Sequence, residues 1–308
     1  MEIFRSIDGI AAGRPSSVAL GFFDGLHLGH TELISGSIAF AMEYGLSADI
    51  FTFREHPKNI MSGMLAVPRL LPESDKLEIF EALGADRVFD FDFADSFHTM
   101  APEDFARSLL KDAFGAEAVF CGFNFRFGAN AAGDTGALGA YGKEFGFEAY
   151  VIDPVYADGE LVSSSAIRRH VNRGDVARAG LMLGRDYSLR GLVEYGNKLG
   201  REFGFPTANI FPDPEMTLPA RGVYVTETAF DGAVFPSISN VGVNPTVADG
   251  NAVRLETHIL DAAPELYKKE ITVFFKEKLR EERRFEDKDA LIRQIAADTE
   301  TAREYFRR

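Results

Sequence analysis

The segment types of this chain change character part-way along, and that change constrains the fold more than any single motif does. Through roughly residue 183, strand-like runs at 17–22, 47–53, 86–91, 117–122 and 147–152 alternate with helical patterns near 28–44, 73–83, 101–113 and 137–145. Alternation of this kind predicts a parallel sheet covered by helices, an α/β arrangement. Helix starts carry appropriate signals, with Pro72-Glu73-Ser74 opening one and Pro102-Glu103-Asp104 another. Beyond Leu183-Gly184-Arg185 the pattern turns to short β-rich runs at 187–194, 222–229, 234–241, 253–260 and 270–275, separated by Gly, Pro, Asn and Asp. That spacing predicts an antiparallel barrel, closed by a helix near 287–306. At 308 residues the chain is long enough for two domains. The expected division is 1–184 and 185–308.

Composition narrows the partners. The residues are 46% hydrophobic and 26% charged, as in ordinary globular proteins, and the net charge is −14. Such an excess of acid argues against a nucleic-acid backbone or an anionic membrane as partner. Nucleotides remain possible, because local amides, arginines and Mg²⁺ decide their binding. No apolar run approaches the roughly 18 residues of a membrane span, and the start lacks the pattern of a signal peptide. The single cysteine, Cys121, lies in an apolar run and cannot form an internal disulfide. A buried structural thiol in a cytoplasmic protein is the expectation.

The sharpest chemical signal is GFFDGLHLGH at 21–30. A strand, a tight turn at Gly21 and Gly25 and a helix beginning near Leu28 make an anion cradle of free amides and positive helix-dipole end. Leu33, Ile34, Ile38, Ala41 and Met42 form the apolar stripe of that helix. His27 and His30 are three apart, so on a helix they share a face and reach one phosphate. A lone histidine is more often a packing residue, but a pair beside a glycine-rich turn points to nucleotidyl transfer, with imidazoles stabilising phosphate charge. No G-x-x-x-x-G-K-[ST] loop is present, which argues against a P-loop enzyme.

Other constellations are weaker alone. GFNFRFG at 122–128 follows a strand, where α/β folds bind ligands; Phe125 and Phe127 offer an apolar wall and Asn124 an amide, or they are core residues beside a turn. Ser163-Ser-Ser-Ala-Ile-Arg-Arg is a helix start suited to a triphosphate through its hydroxyls and Arg168, or a plain N-cap. In GREFGFPTAN at 200–209, Thr207 and Asn209 alternate onto one side of an extended segment and can meet one hard cation such as Mg²⁺. Glu256 lies on an alternating strand with Arg254 and His258, either as a proton acceptor for an attacking hydroxyl or as part of a charged surface.

In their order and spacing these motifs resemble the bacterial bifunctional riboflavin kinase/FAD synthetase family over essentially the whole chain. GVYVTE at 222–227, SNVGVNPT at 239–246, LETHILD at 255–261 and KLREERRF at 278–285 add to the resemblance. It implies a Rossmann-like nucleotidyltransferase domain that adenylylates FMN, followed by a six-stranded antiparallel β-barrel riboflavin kinase. The implied reactions are riboflavin plus ATP to FMN, then FMN plus ATP to FAD and pyrophosphate, both with Mg²⁺. By the same resemblance His27 and His30 stabilise adenylyl transfer, and Gly21, Phe23, Asp24 and Gly25 shape the nucleotide turn. Ser164, Ser165 and Arg168 hold phosphates, and Asn124 with Phe125 contacts the flavin end of FMN. Thr207 and Asn209 hold Mg²⁺ and ATP phosphates, Glu256 is the base for the ribityl hydroxyl, and Arg280 sits in a loop closing on the flavin. Two positions depart from the family pattern: Ser165 replaces a threonine, and Phe22 replaces an asparagine or similar residue. Retention of only one activity, or non-catalytic flavin binding, are the alternatives.

Overall fold

The computed structural model describes all residues except 8–9, 11–13, 94–96, 98, 196–203 and 244–252. Contacts divide the chain into two compact units, Met1–Ser164 and Ser165–Arg308.

In the first unit six strands, β1 (Glu2–Phe4), β2 (Ser16–Leu20), β3 (Ser47–Phe53), β4 (Arg87–Phe91), β5 (Ala116–Gly122) and β6 (Glu148–Ile152), form one sheet in the order β1-β4-β3-β2-β5-β6. Every neighbouring pair is parallel. The helices are α1 (Leu28–Tyr44), α2 (Pro57–Ser62), α3 (Glu73–Leu83), α4 (Pro102–Asp104) and α5 (Thr135–Phe145). α4 runs on into a π-helical stretch, Phe105–Ala113, where Phe114 N–H donates to Leu109 O at 3.0 Å across the wider turn. A two-residue hairpin, β7 (Tyr156–Ala157) with β8 (Glu160–Leu161), ends the unit.

Both sheet faces are covered, so β2 and β4 are buried at every position. Val18, Leu20, Phe51, Phe89, Phe91 and Phe114 pack on one face, and Ala19, Ile34, Ile50, Phe80 and Val88 on the other. Cys121 belongs to the first group; burial pushes its thiol up to about 12, which leaves it unreactive. Helix α1 buries Leu33, Ile34, Ser37, Ile38 and Ala41. Met42, expected in that stripe, is 79% exposed, and Ser37 takes an inward place through a 2.8 Å hydroxyl contact with Ser17. β1 and α2 were not expected: three edge residues and a six-residue helix with none of its residues buried carry too little periodicity to read.

At the start of the central strands Asp49 and Arg87 are register partners and both are buried. Arg87 Nε donates to Asp49 Oδ1 and Oδ2 at 2.9 and 3.1 Å, and Ser47 Oγ donates to Oδ1 at 2.7 Å. Burial raises the Asp49 pKa, against the opposing pull of Arg87. Replacing Asp49 by alanine leaves a buried guanidinium unpaired and is expected to cost about 3–5 kcal/mol. Denaturant unfolding should show a lower midpoint at unchanged slope, and Arg87→Met in the same chain should restore much of the loss.

The second unit begins with α6 (Ser164–Arg173, whose first residue closes the first unit) and α7 (Val176–Leu183), which stops at Gly184 in the left-handed region, φ 72°. Strands β9 (Tyr187–Leu192), β10 (Ala208–Ile210), β11 (Gly222–Phe230), β12 (Ala233–Val243), β13 (Val253–Ile259) and β14 (Glu270–Arg280) follow. They form one antiparallel sheet in the order β10-β13-β12-β11-β14-β9. Its edges meet in a bridge between Glu194 and Asn209, so the sheet curls on itself, and α8 (Lys288–Arg307) ends the chain. One face packs Val223, Val225 and Ile238 with Ala302 of α8. The opposite face carries buried hydroxyls: Thr226 contacts Ser237 and Ser239, Thr228 contacts Ser237, and Ser239 contacts Thr257, each at 2.8 Å. Each hydroxyl thus has a partner where water is excluded.

Candidate active sites

Strand order reverses at β2. From β2 the chain passes through α1 to β3 on one side, whereas β5 lies on the other. Ligands of open α/β sheets bind outside the carboxyl ends of strands at such a point. Gly21 leaves β2 there and Gly122 ends β5, with Leu20 and Cys121 in register. The GFFDGLHLGH turn uses left-handed backbone at Phe23, Gly25 and Leu26, with φ of 54°, 80° and 42°. The Phe23 ring folds back over Gly21, where a Cβ would lie 2.7 Å from it. Fully buried, Phe23 also packs edge-on against His30 and Phe80, at 5.2 and 5.8 Å between centroids. It shapes the turn from beneath. Asp24 is buried too: its Oδ1 accepts from Leu70 N at 2.9 Å and its carbonyl accepts from Ser164 Oγ at 2.9 Å.

His27 caps α1, its Nδ1 accepting from His30 N at 3.3 Å, so a neutral His27 carries its proton on Nε2. The two imidazoles stack at 3.6 Å and 16°. His30 Nδ1 is buried without a partner in the structure, and it lies at a helix start, where charge development favours a donor. Burial, then the neighbouring His27, hold His30 well below the ordinary 6.5. The unfolded chain takes up this proton near pH 6.5 and the folded chain only at lower pH, so stability declines as pH falls from about 6.5. His30→Gln should flatten that part of the profile, read by denaturant titrations between about pH 7 and 5.

At the end of β5, Asn124 is exposed and Phe125 half-buried, stacked on Phe127 at 5.8 Å and 16°. Phe127 is 5% exposed and packs on Phe105, so of its two readings, ligand wall and core, it takes the core one. Its amide and carbonyl pair with Gly133, which pins the loop. Ser165 and Arg168 follow Ser164 on α6, within the second unit.

A pair that the sequence reading missed lies near the turn. Lys76 of α3 is buried, donates to Phe53 O at 3.1 Å, lies 3.7 Å from Asp90 and sits 5.7 Å over the Phe22 ring. Burial lowers its pKa and raises that of Asp90. The readable signal was a lysine one turn before Phe80 on the inward face of α3.

In the second unit Thr207, Asn209, Glu256 and Arg280 all line one cavity of about 710 Å³. Alternation along β13 turns Leu255, Thr257 and Ile259 inward and Arg254, Glu256 and His258 to the cavity. Glu256 pairs in register with Asn209 on one side and Asn240 on the other. Arg254 forms an ion pair with Glu256, and His258 Nδ1 donates to Pro206 O at 2.8 Å. Burial lowers the His258 pKa. Asn209 Nδ2 donates to Thr207 O at 3.5 Å, while its Oδ1 is buried without a partner. Arg280 is the last residue of β14, at the root of the 281–287 segment and not within a loop as expected. Residues 200–203 and 244–246 of the two glycine-containing motifs lie outside the described residues.

The arrangement agrees with comparison to known proteins. Sequence-family models for FAD synthetase and riboflavin kinase match residues 10–166 and 183–306. A bifunctional riboflavin kinase/FMN adenylyltransferase of Escherichia coli (strain K12) is 34% identical over 99% of this chain and 98% of its own length. The protein of that description from Listeria monocytogenes is 33% identical over 94% of this chain and 92% of its own length. A solved structure from Streptococcus pneumoniae, described as a macrolide-efflux protein, superposes with a TM-score of 0.89 at 28% identity over 98% of both chains. Among the described residues of this chain no helix is long and apolar enough to cross a membrane. With an FAD synthetase match over the α/β unit, a riboflavin kinase match over the barrel and relatives matched almost end to end, the chain belongs to the bifunctional riboflavin kinase/FMN adenylyltransferase family, with both enzyme domains present.

Proposed function

We propose that His27 and His30 carry the adenylyl transfer and that Thr207, Asn209 and Glu256 carry the phosphorylation, each set in its own domain, 1–184 and 185–308. The two nucleophiles explain the two residue sets. In FMN the attacking atom is a phosphate oxygen, already ionised near neutral pH, so that site needs no general base. It needs donors for the charge that gathers on the α-phosphate and the departing pyrophosphate. The His27 Nε2–H and the His30 ring, at the N-terminus of α1, are such donors. Ser164, Ser165 and Arg168 then hold phosphates, and Asn124 with Phe125 meets the flavin.

Riboflavin attacks through a hydroxyl, which must lose its proton as the phosphoryl group arrives. Glu256 accepts that proton, its carboxylate oriented by Arg254. Mg²⁺ suits this wall: Thr207 and Asn209 offer neutral oxygens, and the unpartnered, buried Asn209 Oδ1 fits a cation ligand. Two protein oxygens leave most of the coordination to substrate phosphates and water, which is how Mg²⁺ is usually held. Bound there, Mg²⁺ would neutralise charge on the transferred phosphoryl group. Arg280 contacts the flavin. The single buried thiol suits a reducing cytoplasm.

Two observations carry this reading: in the second unit Thr207 and Asn209 meet the sequence-distant Glu256 on one cavity wall, and the first unit, taken by itself, holds a stacked histidine pair at its strand-order reversal. Incubating the chain with riboflavin, ATP and Mg²⁺ and resolving flavins over time should show FMN rising and then giving way to FAD. Flavin binding without ATP consumption would overturn it.

A further inference from the structure

Arg280 is held by a carboxylate that the known chemistry does not use. Asp298, on α8, is 6% exposed and lines the cavity of the barrel unit. Its Oδ1 and Oδ2 accept from Arg280 Nε at 3.1 and 2.9 Å, and Oδ2 accepts from Nη2 at 2.7 Å. One turn earlier on α8, Gln294 Nε2 donates to Asp298 Oδ1 at 2.6 Å, and Gln294 Oε1 accepts from Arg283. Phe285 lies under both guanidiniums, 5.8 Å from that of Arg280 and 5.1 Å from that of Arg283. One stripe of α8 thus grips the strand end and the segment that leaves it, and Arg280, Arg283 and Phe285 all line the cavity.

A guanidinium has five N–H donors in a rigid fork. Nε and one N–H of Nη2 go to Asp298, and one of Nη1 goes to Glu281 O at 3.0 Å. Two donors are left for a ligand, in a plane set by the carboxylate. A bidentate charge-assisted pair fixes orientation as well as distance.

We propose that Asp298 is a positioning residue of the kinase site: by clamping Arg280 it sets the geometry with which the cavity binds riboflavin, without touching the substrate itself. The inference rests on the reading of Arg280 as a flavin contact, and the test separates the two. Asp298→Asn, Arg280→Ala and the double variant are assayed for the riboflavin KM, the ATP KM and kcat of phosphorylation, with adenylylation of supplied FMN followed in parallel. Asp298→Asn should raise the riboflavin KM on the order of tenfold, the scale of a lost hydrogen bond to a charged group, with kcat and the ATP KM little changed. The double variant should be no worse than Arg280→Ala alone, because Asp298 acts through Arg280. Should Asp298→Asn fail to fold, Gln294→Leu, which removes one support of Asp298 from a half-buried position, should raise the same KM by less. A raised KM in Arg280→Ala beside a normal one in Asp298→Asn would overturn the clamp and leave Arg280 as a flavin contact. Normal values in both would overturn both readings. A fall in kcat and ATP affinity together with riboflavin affinity, or a double variant clearly worse than Arg280→Ala, would also overturn the clamp.

Discussion

Replacing His30 by alanine lowers FMN adenylylation by about 10²–10³-fold, the cost of removing one preorganised donor to developing oxyanion charge, and leaves riboflavin phosphorylation intact. The effect is large because His30 is held on three sides. Phe23 meets its edge, His27 stacks on its face at 3.6 Å, and the helix start supplies its backbone. Truncation therefore removes one imidazole and frees the other from its stacking partner. His30→Asn keeps a short donor and should recover part of the rate. The kinase domain of the same chain is the internal control for folding. Loss of FMN formation along with FAD formation, in a variant with an unchanged melting transition, would argue against separate sites. Unimpaired FAD formation would remove His30 from the mechanism.

Glu256→Gln is expected to show the reverse, with phosphorylation down ~10²–10⁴-fold and adenylylation of supplied FMN unchanged. The amide keeps the shape of the carboxylate between Asn209 and Asn240 while it cannot take a proton at neutral pH. The loss should lie towards the lower end of that range, since phosphoryl transfer draws most of its acceleration from positioning and charge neutralisation. A fall in kcat with the riboflavin KM preserved would mark a group acting in the transition state. A raised KM with kcat preserved would instead make Glu256 a binding residue.

The part of the adenylyl-transfer site that could be read in advance is the part made by neighbours in sequence. His27 and His30 are three residues apart across the N-cap of α1, so the local start of the helix puts them together. The expected bounds of α1, α3 and β3 agree with the structure for the same reason: caps and periodicity are local. Gly45 and Gly84, both in the left-handed region, end the two helices where the apolar pattern stops. Phe127 shows the limit. Its sequence surroundings favoured core over wall, but its partner Phe105 came only from packing π-helical residues against the sheet.

In the barrel the alternation of 253–260 placed Arg254, Glu256 and His258 on one face from sequence alone, because side chains of a strand have a period of two. Which residues stand opposite them did not follow. Asn209 reaches Glu256 through the register of β10 on β13, and a slip of one residue would have turned it to the other face. Asp298 reaches Arg280 only because α8 lies across the β11 and β12 face that Val223 and Ile238 make apolar. Local spacing thus determined the longer helices and strands, the paired histidines and the face that Glu256 occupies, but not short elements such as β1, α2 and β10. Tertiary structure decided the cross-strand partners, the buried Lys76–Asp90 pair and the carboxylate that holds Arg280, since each depends on register and helix placement set by burial of the whole unit.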